Sequence, residues 1–314
     1  MTSTTQIQST PPVSPLPAWL TAMRPEHWIK NILLFVALPF SGQMMNPTSW
    51  LHCAWGFAVF CLLASGIYLL NDIRDKAADA MHPTKRYRPI ASGKLSVPAA
   101  WVESILLAGL GMAMSVVLGP AFVLTAGAYV VLNLLYTYWL KHHAIIDVVI
   151  LSLGFVLRAM ASAEAIPVAV SAYLVLCTFM LCLFIALTKR RSEVNELAGG
   201  EIRTTRRVNV FYTPERTEHM LSVSAGLSIV TYSLYCVAPS TVARLGSANL
   251  VWTTPLVVYA MFRYYCLTGQ AGASDPVHVL LHDKVLWIVS LLWALMVAGV
   301  VLAGKFGWMT NLLV

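Results

Sequence analysis

Charge is scarce in this chain of 314 residues. Asp, Glu, Lys and Arg make up 11% of it, 58% is hydrophobic, and the mean hydropathy is +0.70. A soluble domain carries roughly 25% charged residues, so a soluble protein with a large core is excluded and a polytopic membrane protein remains. Cysteine chemistry is also missing. Cys53, Cys61, Cys177, Cys182, Cys236 and Cys266 lie inside or at the ends of apolar runs with no C-x-x-C pair, and read as small hydrophobes. No H-E-x-x-H motif occurs, and a zinc site is not expected. The first residues lack a basic segment leading into an apolar run. Residues 1–17, rich in Ser, Thr and Pro, are expected to be a disordered tail and not a cleaved signal.

Apolar runs of spanning length are abundant. About 20 apolar residues cross a bilayer, and nine segments qualify: 28–45, 50–70, 97–117, 120–140, 144–165, 168–188, 217–238, 248–268 and 284–304. Pro39 and Gly42 interrupt the first. With nine spans, all Lys and Arg except Arg158, Arg244 and Lys305 fall on the side of the N-terminus. The positive-inside rule then makes that side cytoplasmic and puts the C-terminus outside. Of the acids, only Glu164 falls on the outer side. A transport path is disfavoured, because the polar residues gather at one face and not at the midplane. Ser96 with Pro98 is expected to start the third span, and Thr213-Pro214 to cap the seventh. Residues 190–216 form the longest and most basic cytoplasmic loop, and residues 18–314 read as a single membrane-embedded domain.

Where the second span meets water, the chain reads Asn71-Asp-Ile-Arg-Asp-Lys-Ala-Ala-Asp79. At about 100° per residue, Asp72, Asp75 and Asp79 fall within about 60° of one another on a helix, over ~10 Å of its length. Like charges crowded near low dielectric repel unless a cation sits among them. Mg²⁺ takes one or two carboxylates plus substrate phosphate oxygens, so these acids with Asn71 suffice for it. His82, Lys85, Arg86 and Arg88 follow, stiffened by Pro83 and Pro89 and closed by Gly93. A stiff cationic loop suits an anion, so the whole segment reads as a Mg²⁺–diphosphate site.

Further polar groups stand at other cytoplasmic helix ends. Tyr136, Lys141 and Asp147 flank the second hairpin. Arg158 lies three helical turns beyond Asp147, nearly on the same face and ~16 Å deeper. An arginine at that depth is costly; it is either in a structural ion pair or faces a polar cavity. Lys189, Arg190 and Glu193 end the sixth span, and Asp275, His278, Asp283 and Lys284 precede the ninth.

The Asn71–Gly93 segment resembles the first Asp-rich motif of the UbiA-type membrane prenyltransferases, N-D-x-x-D-x-x-x-D. Its continuation, D-x-x-H-P-x-K-x-x-R-P-I-A-S-G, is similar to the decaprenyl-phosphate (polyprenyl-phosphate) phosphoribosyltransferase family. So are Arg24-Pro-Glu-His-Trp-Ile-Lys-Asn31, Tyr136-Thr-Tyr-Trp-Leu-Lys141 with Asp147, Leu187-Thr-Lys-Arg190 with Glu193, and Asp275-Pro276 with Asp283. The wider superfamily generally carries a second acidic motif, D-x-x-x-D; here Asp147 stands alone between Lys141 and Arg158. Less acid and more base suits two phosphate-bearing substrates.

The resemblance implies an all-α bundle of nine transmembrane helices around a cytoplasm-facing cavity, in one catalytic domain. It implies transfer of 5-phosphoribose from 5-phosphoribosyl 1-diphosphate (PRPP) to a polyprenyl phosphate, with Mg²⁺ as cofactor, for a lipid-linked pentose such as an arabinan precursor. The alternative is a prenyl-diphosphate transferase with an aromatic or other acceptor. Asp72, Asp75 and Asp147 take the catalytic roles, and Asn71, Asp72, Asp75 and Asp79 hold the metal. Lys30, Asn71, His82, Lys85, Arg88, Tyr136, Lys141, Arg158, Lys189 and Arg190 contact substrate. The expected partners are PRPP, polyprenyl phosphate and membrane lipids, with no nucleic acid and a homo-oligomer left open. The expected location is the inner cell membrane, with the active site cytoplasmic.

Overall fold

Proline and glycine decide where the helices of this chain begin and break. The computed structural model describes residues 16–82, 84–166, 168–169, 171–198, 211–269, 279 and 282–306, and among them every regular element is helical. Residues 1–15 of the expected tail, residues 199–210 of the basic loop, Pro83, Asp275 and His278 lie outside the described residues. His278 and His282 stand four residues apart, an H-x-x-x-H spacing whose first member is therefore not described.

The helices are α1 (Ala18–Met23), α2 (Ala37–Phe40), α3 (Pro47–Ala80), α4 (Val97–Ser115), α5 (Pro120–Tyr138), α6 (Ile146–Ala165), α7 (Ala172–Ala198), α8 (Pro214–Val237), α9 (Pro239–Leu245), α10 (Thr254–Thr268) and α11 (Lys284–Phe306). Among the described residues seven helices are long and apolar enough to cross a membrane, or eight if the bent pair α9 plus 249–268 counts as one span. The expected count of nine is not reached because the segment 28–45 is no continuous α-helix. Arg24 ends α1 in the left-handed region (φ 54°), Pro25–Phe35 winds as a 3₁₀ helix, and α2 stops before Gly42 (φ 72°). Pro25 and Pro39 each remove a backbone donor, and 3₁₀ turns supply the shorter ladder that remains.

Two starts, at Ser96 and Thr213, match the sequence signals, and a third is capped at Asn46. Asn46 accepts the Thr48 N–H at 3.0 Å ahead of Pro47, Ser96 accepts from Ala99, and Thr213 accepts from Arg216 before Pro214. Helix α3 is 34 residues long, about 50 Å against a hydrocarbon core of ~30 Å. It is therefore long enough for Asn71–Asp79, on its last turns, to leave the apolar layer.

The chain divides into two compact units where the sequence reads as one domain. One comprises residues up to Ile29 with Cys61–Gly111; the other comprises Lys30–Phe60 with Met112 onward. In the first unit Ala22, Leu69, Ile90 and Ala100 form a buried cluster. There α3 and α4 approach closely: Ser104 Oγ donates to the Gly66 carbonyl at 2.7 Å, and a Cβ on Gly66 would lie 2.9 Å from the Ser104 carbonyl oxygen. In the second unit α5, α6, α7 and α8 pack in sequence order and α10 packs on α11. Val148, Phe184, Leu187, Tyr212, Leu221 and Tyr264 lie in the cluster that joins α6, α7, α8 and α10.

Candidate active site

The acidic cluster of the first unit is built by three separate segments. Ser65, two turns before Asp72 on α3, donates to the Met23 carbonyl and accepts from Trp28 Nε1, each at 3.0 Å. These bonds pin residues 23–28, and Arg24 then reaches Asp72 while its guanidinium lies 5.3 Å from the centre of the Tyr68 ring. Beyond α3, Ile90 is fully buried and Gly93 (φ 80°) turns the chain so that the Leu95 N–H donates to the Pro89 carbonyl. Only glycine takes that left-handed conformation at little cost. The turn carries Arg88, whose Nη1 donates to Asp79 Oδ2 at 2.7 Å and to Asp72 Oδ1 at 3.2 Å.

Asp72 is 3% exposed and Asp79 5%. Burying carboxylates is unfavourable without paired charge, and Arg24 and Arg88 supply it. Among the described residues no three His, Cys, Asp or Glu side chains gather closely enough to hold a metal ion. One positive nitrogen nevertheless bridges the carboxylates of Asp72 and Asp79. Two carboxylate oxygens that can share one cation, with phosphate oxygens completing the shell, are the hard donor set that Mg²⁺ takes. The residues fit that ion as a two-carboxylate site. Asn71 and Asp75, on the same turns of α3, are half-buried.

His82 builds the turn after α3. Its Nδ1 accepts from the Thr84 and Lys85 backbone N–H groups at 3.3 and 3.4 Å. Burial and the neighbouring Lys85 ammonium push the imidazole below its usual pKa, which keeps that nitrogen an acceptor. Lys85 itself is half-buried.

A second cluster belongs to the other unit. Asp147 is in the first turn of α6, where the helix dipole favours a carboxylate, and it is fully buried. Tyr212, just ahead of α8, donates its hydroxyl to Asp147 Oδ1 at 2.6 Å, and that hydroxyl oxygen of Tyr212 accepts the Ile145 N–H at 2.8 Å. Arg190 Nε lies 3.0 Å from Asp147 Oδ2, an ion pair without hydrogen-bond geometry, and Nη1 donates to Glu193. Arg190 is thus held between two acids. Ile145 has φ 69° and ψ −49°, close to a classic γ-turn. For a β-branched residue that conformation costs about 1–3 kcal/mol. Lys141 is buried in the 3₁₀ turn after α5, Tyr136 is half-buried in the last turn of α5, and Lys189 is exposed near the end of α7.

Arg158 does not join Asp147. Its guanidinium is buried and donates to Asn31 Oδ1 (2.7 Å), the Gly154 carbonyl (2.9 Å) and the Tyr129 hydroxyl (2.7 Å). Among the described residues it has neutral partners and no carboxylate, so the ion-pair reading fails for them. Lys30, beside Asn31, is half-buried.

The structure therefore brings Asp72, Asp79 and Arg88 together, and separately Asp147, Arg190 and Glu193. Arg24 and Tyr212 were not among the expected site residues. The motif beginning at Arg24 held a signal for the first. Nothing near Tyr212 in sequence pointed 65 residues back to Asp147.

A helical membrane protein with buried acids matched to arginines defines the class. The profile of the UbiA prenyltransferase family matches residues 32–281. Decaprenyl-phosphate phosphoribosyltransferase of Corynebacterium glutamicum is 35% identical over 292 residues, 90% of this chain and 86% of that one. The enzyme of the same name from Mycolicibacterium smegmatis is 32% identical over 305 residues, 93% and 95% of the two chains. A UbiA homologue from Archaeoglobus fulgidus, solved with DMAPP and Mg²⁺, has a TM-score of 0.67 at 18% identity, covering 92% of this chain and 98% of that one. That likeness carries the fold alone. The chain belongs to the UbiA prenyltransferase family.

Proposed function

We propose that this protein is a membrane phosphoribosyltransferase that moves 5-phosphoribose from PRPP to a polyprenyl phosphate. The full-length similarity to two decaprenyl-phosphate phosphoribosyltransferases carries this reading. The acid–arginine chemistry of the first cluster supports it. The bond from ribose C1 to the diphosphate oxygen breaks, and a bond from C1 to a lipid phosphate oxygen forms. Diphosphate leaves, and no net proton transfer is required. Positioning and charge stabilisation then supply most of the rate.

Asp72 and Asp79 would hold Mg²⁺, with Asn71 and Asp75 half-buried on the same turns of α3; when bound, the ion would neutralise charge on the leaving diphosphate. Asp72 and Asp79 also fix the guanidinium groups of Arg24 and Arg88, which present positive charge to phosphate oxygens. Lys85 adds to that field, and His82 shapes the turn that carries Lys85 and Arg88; in the second unit Lys30, Lys141 and Lys189 offer positive charge to phosphate oxygens of their own. Asp147 Oδ2 accepts no hydrogen bond among the described residues, which suits a ribose hydroxyl as donor. Arg190 orients that carboxylate with Tyr136 nearby, and Arg158 holds Asn31 and Tyr129 in a separate buried network. The protein works in the inner cell membrane with its N-terminus and site in the cytoplasm, and its product supplies a lipid-linked pentose for glycan assembly.

Asp72→Asn tests the metal assignment. Purified in detergent, it is expected to stay folded and lose transfer from labelled PRPP by at least about 100-fold. Retained Mg²⁺-dependent transfer would overturn the assignment.

A further inference from the structure

One oxygen atom in the second unit satisfies two demands at once. The Tyr212 hydroxyl accepts the Ile145 N–H at 2.8 Å and donates to Asp147 Oδ1 at 2.6 Å. Resting on the transfer reading for its chemical consequence, we propose that Tyr212 is a positioning residue. Its hydroxyl holds the turn at Ile145 and the Asp147 carboxylate in one geometry, with Oδ2 turned to the Arg190 guanidinium.

Three observations carry this. The Ile145 side chain is 46% exposed, so packing of that side chain does not explain why a β-branched residue keeps a positive φ. The backbone bond to Tyr212 does. The direction of the proton is also fixed: the N–H of Ile145 takes a lone pair of the phenol oxygen, so the phenol hydrogen goes to Asp147. Burial raises the phenol pKa above its ordinary value and keeps that hydrogen in place. Finally, the Tyr212 ring is 2% exposed and packs in the cluster with Val148, Leu187 and Leu221. Tyr212→Phe therefore subtracts the hydroxyl and little else.

Tyr212→Phe, Asp147→Asn and the double variant test this role. Hydrogen exchange is followed over residues 143–148, and kcat and KM for PRPP are measured. Tyr212→Phe is expected to exchange at least about 10-fold faster at Ile145 and to lower kcat/KM about 10–100-fold. The double variant is expected to be no slower than Asp147→Asn alone, since both remove one arrangement. Unchanged exchange in Tyr212→Phe overturns the grip on the turn, and effects that multiply overturn the coupling to Asp147. Should Tyr212→Phe not fold, Ile145→Gly in the same chain relieves the backbone and leaves the Asp147 bond to be tested. Absence of any transfer by the wild type would refute the enzyme reading, while the exchange comparison still decides the role of Tyr212.

Discussion

Arg88 reaches Asp72 and Asp79 with a single nitrogen while the rest of its planar group remains for other acceptors. A lysine can place charge there but not in that fork. Arg88→Lys is therefore expected to keep the fold and lose transfer activity about 10-fold or more, measured by labelled-lipid formation. Wild-type rates in that variant would show that only the charge matters. A second residue-scale expectation concerns Asp283. It pairs through both oxygens with Arg263 at 2.8 Å and accepts the Leu286 N–H at the start of α11. The hydrogen bond from Arg263 holds its pKa down to about 2. An unfolded chain has an Asp pKa of about 3.9. The stabilisation is thus full above about pH 4 and is lost as pH falls towards 2. Thermal unfolding of wild type and Asp283→Asn across pH 2 to 6 is expected to converge at the acid end; a constant difference would contradict the pairing.

At the level of helices, the close approach of α3 and α4 depends on Gly66. Gly66→Ala places a methyl 2.9 Å from the Ser104 carbonyl and is expected to destabilise by about 1–3 kcal/mol. Gly109→Ala on α4 meets nothing within 4 Å and is expected to be neutral or stabilising by about 0.5–1 kcal/mol. Thermal melts in detergent check both signs. The same scale shows what could be read in sequence. Local codes were legible: the Thr213-Pro214 cap, the Ser96 start, and the helix that carries Asp72 and Asp79 on its last turns. The first span was legible only in part: Pro39 and Gly42 marked its break, but a hydropathy window counts apolar residues and misses the 3₁₀ path that follows Pro25. Partners far apart in sequence were hidden too. The face of Asp72, Asp75 and Asp79 looked unmatched because its counter-charges, Arg24 and Arg88, come from other segments. Helical phase put Arg158 on the face of Asp147 and left its partner open; Asn31 and Tyr129, contributed by other segments, take its hydrogen bonds.

For the whole molecule, family membership fixes an all-helical, multi-pass membrane protein, and the substrate is where members differ. The single acid at Asp147, held by Tyr212 and Arg190, and the basic residues around both clusters separate phosphoribosyl transfer from prenyl transfer in this account. The decisive measurement offers the purified protein in detergent, with Mg²⁺, labelled PRPP together with polyprenyl phosphate, and in a parallel reaction a labelled prenyl diphosphate with an aromatic acceptor. A labelled phosphoribosyl lipid and released diphosphate are expected in the first reaction and no product in the second. No labelled lipid from PRPP, with turnover of the prenyl diphosphate, would contradict it.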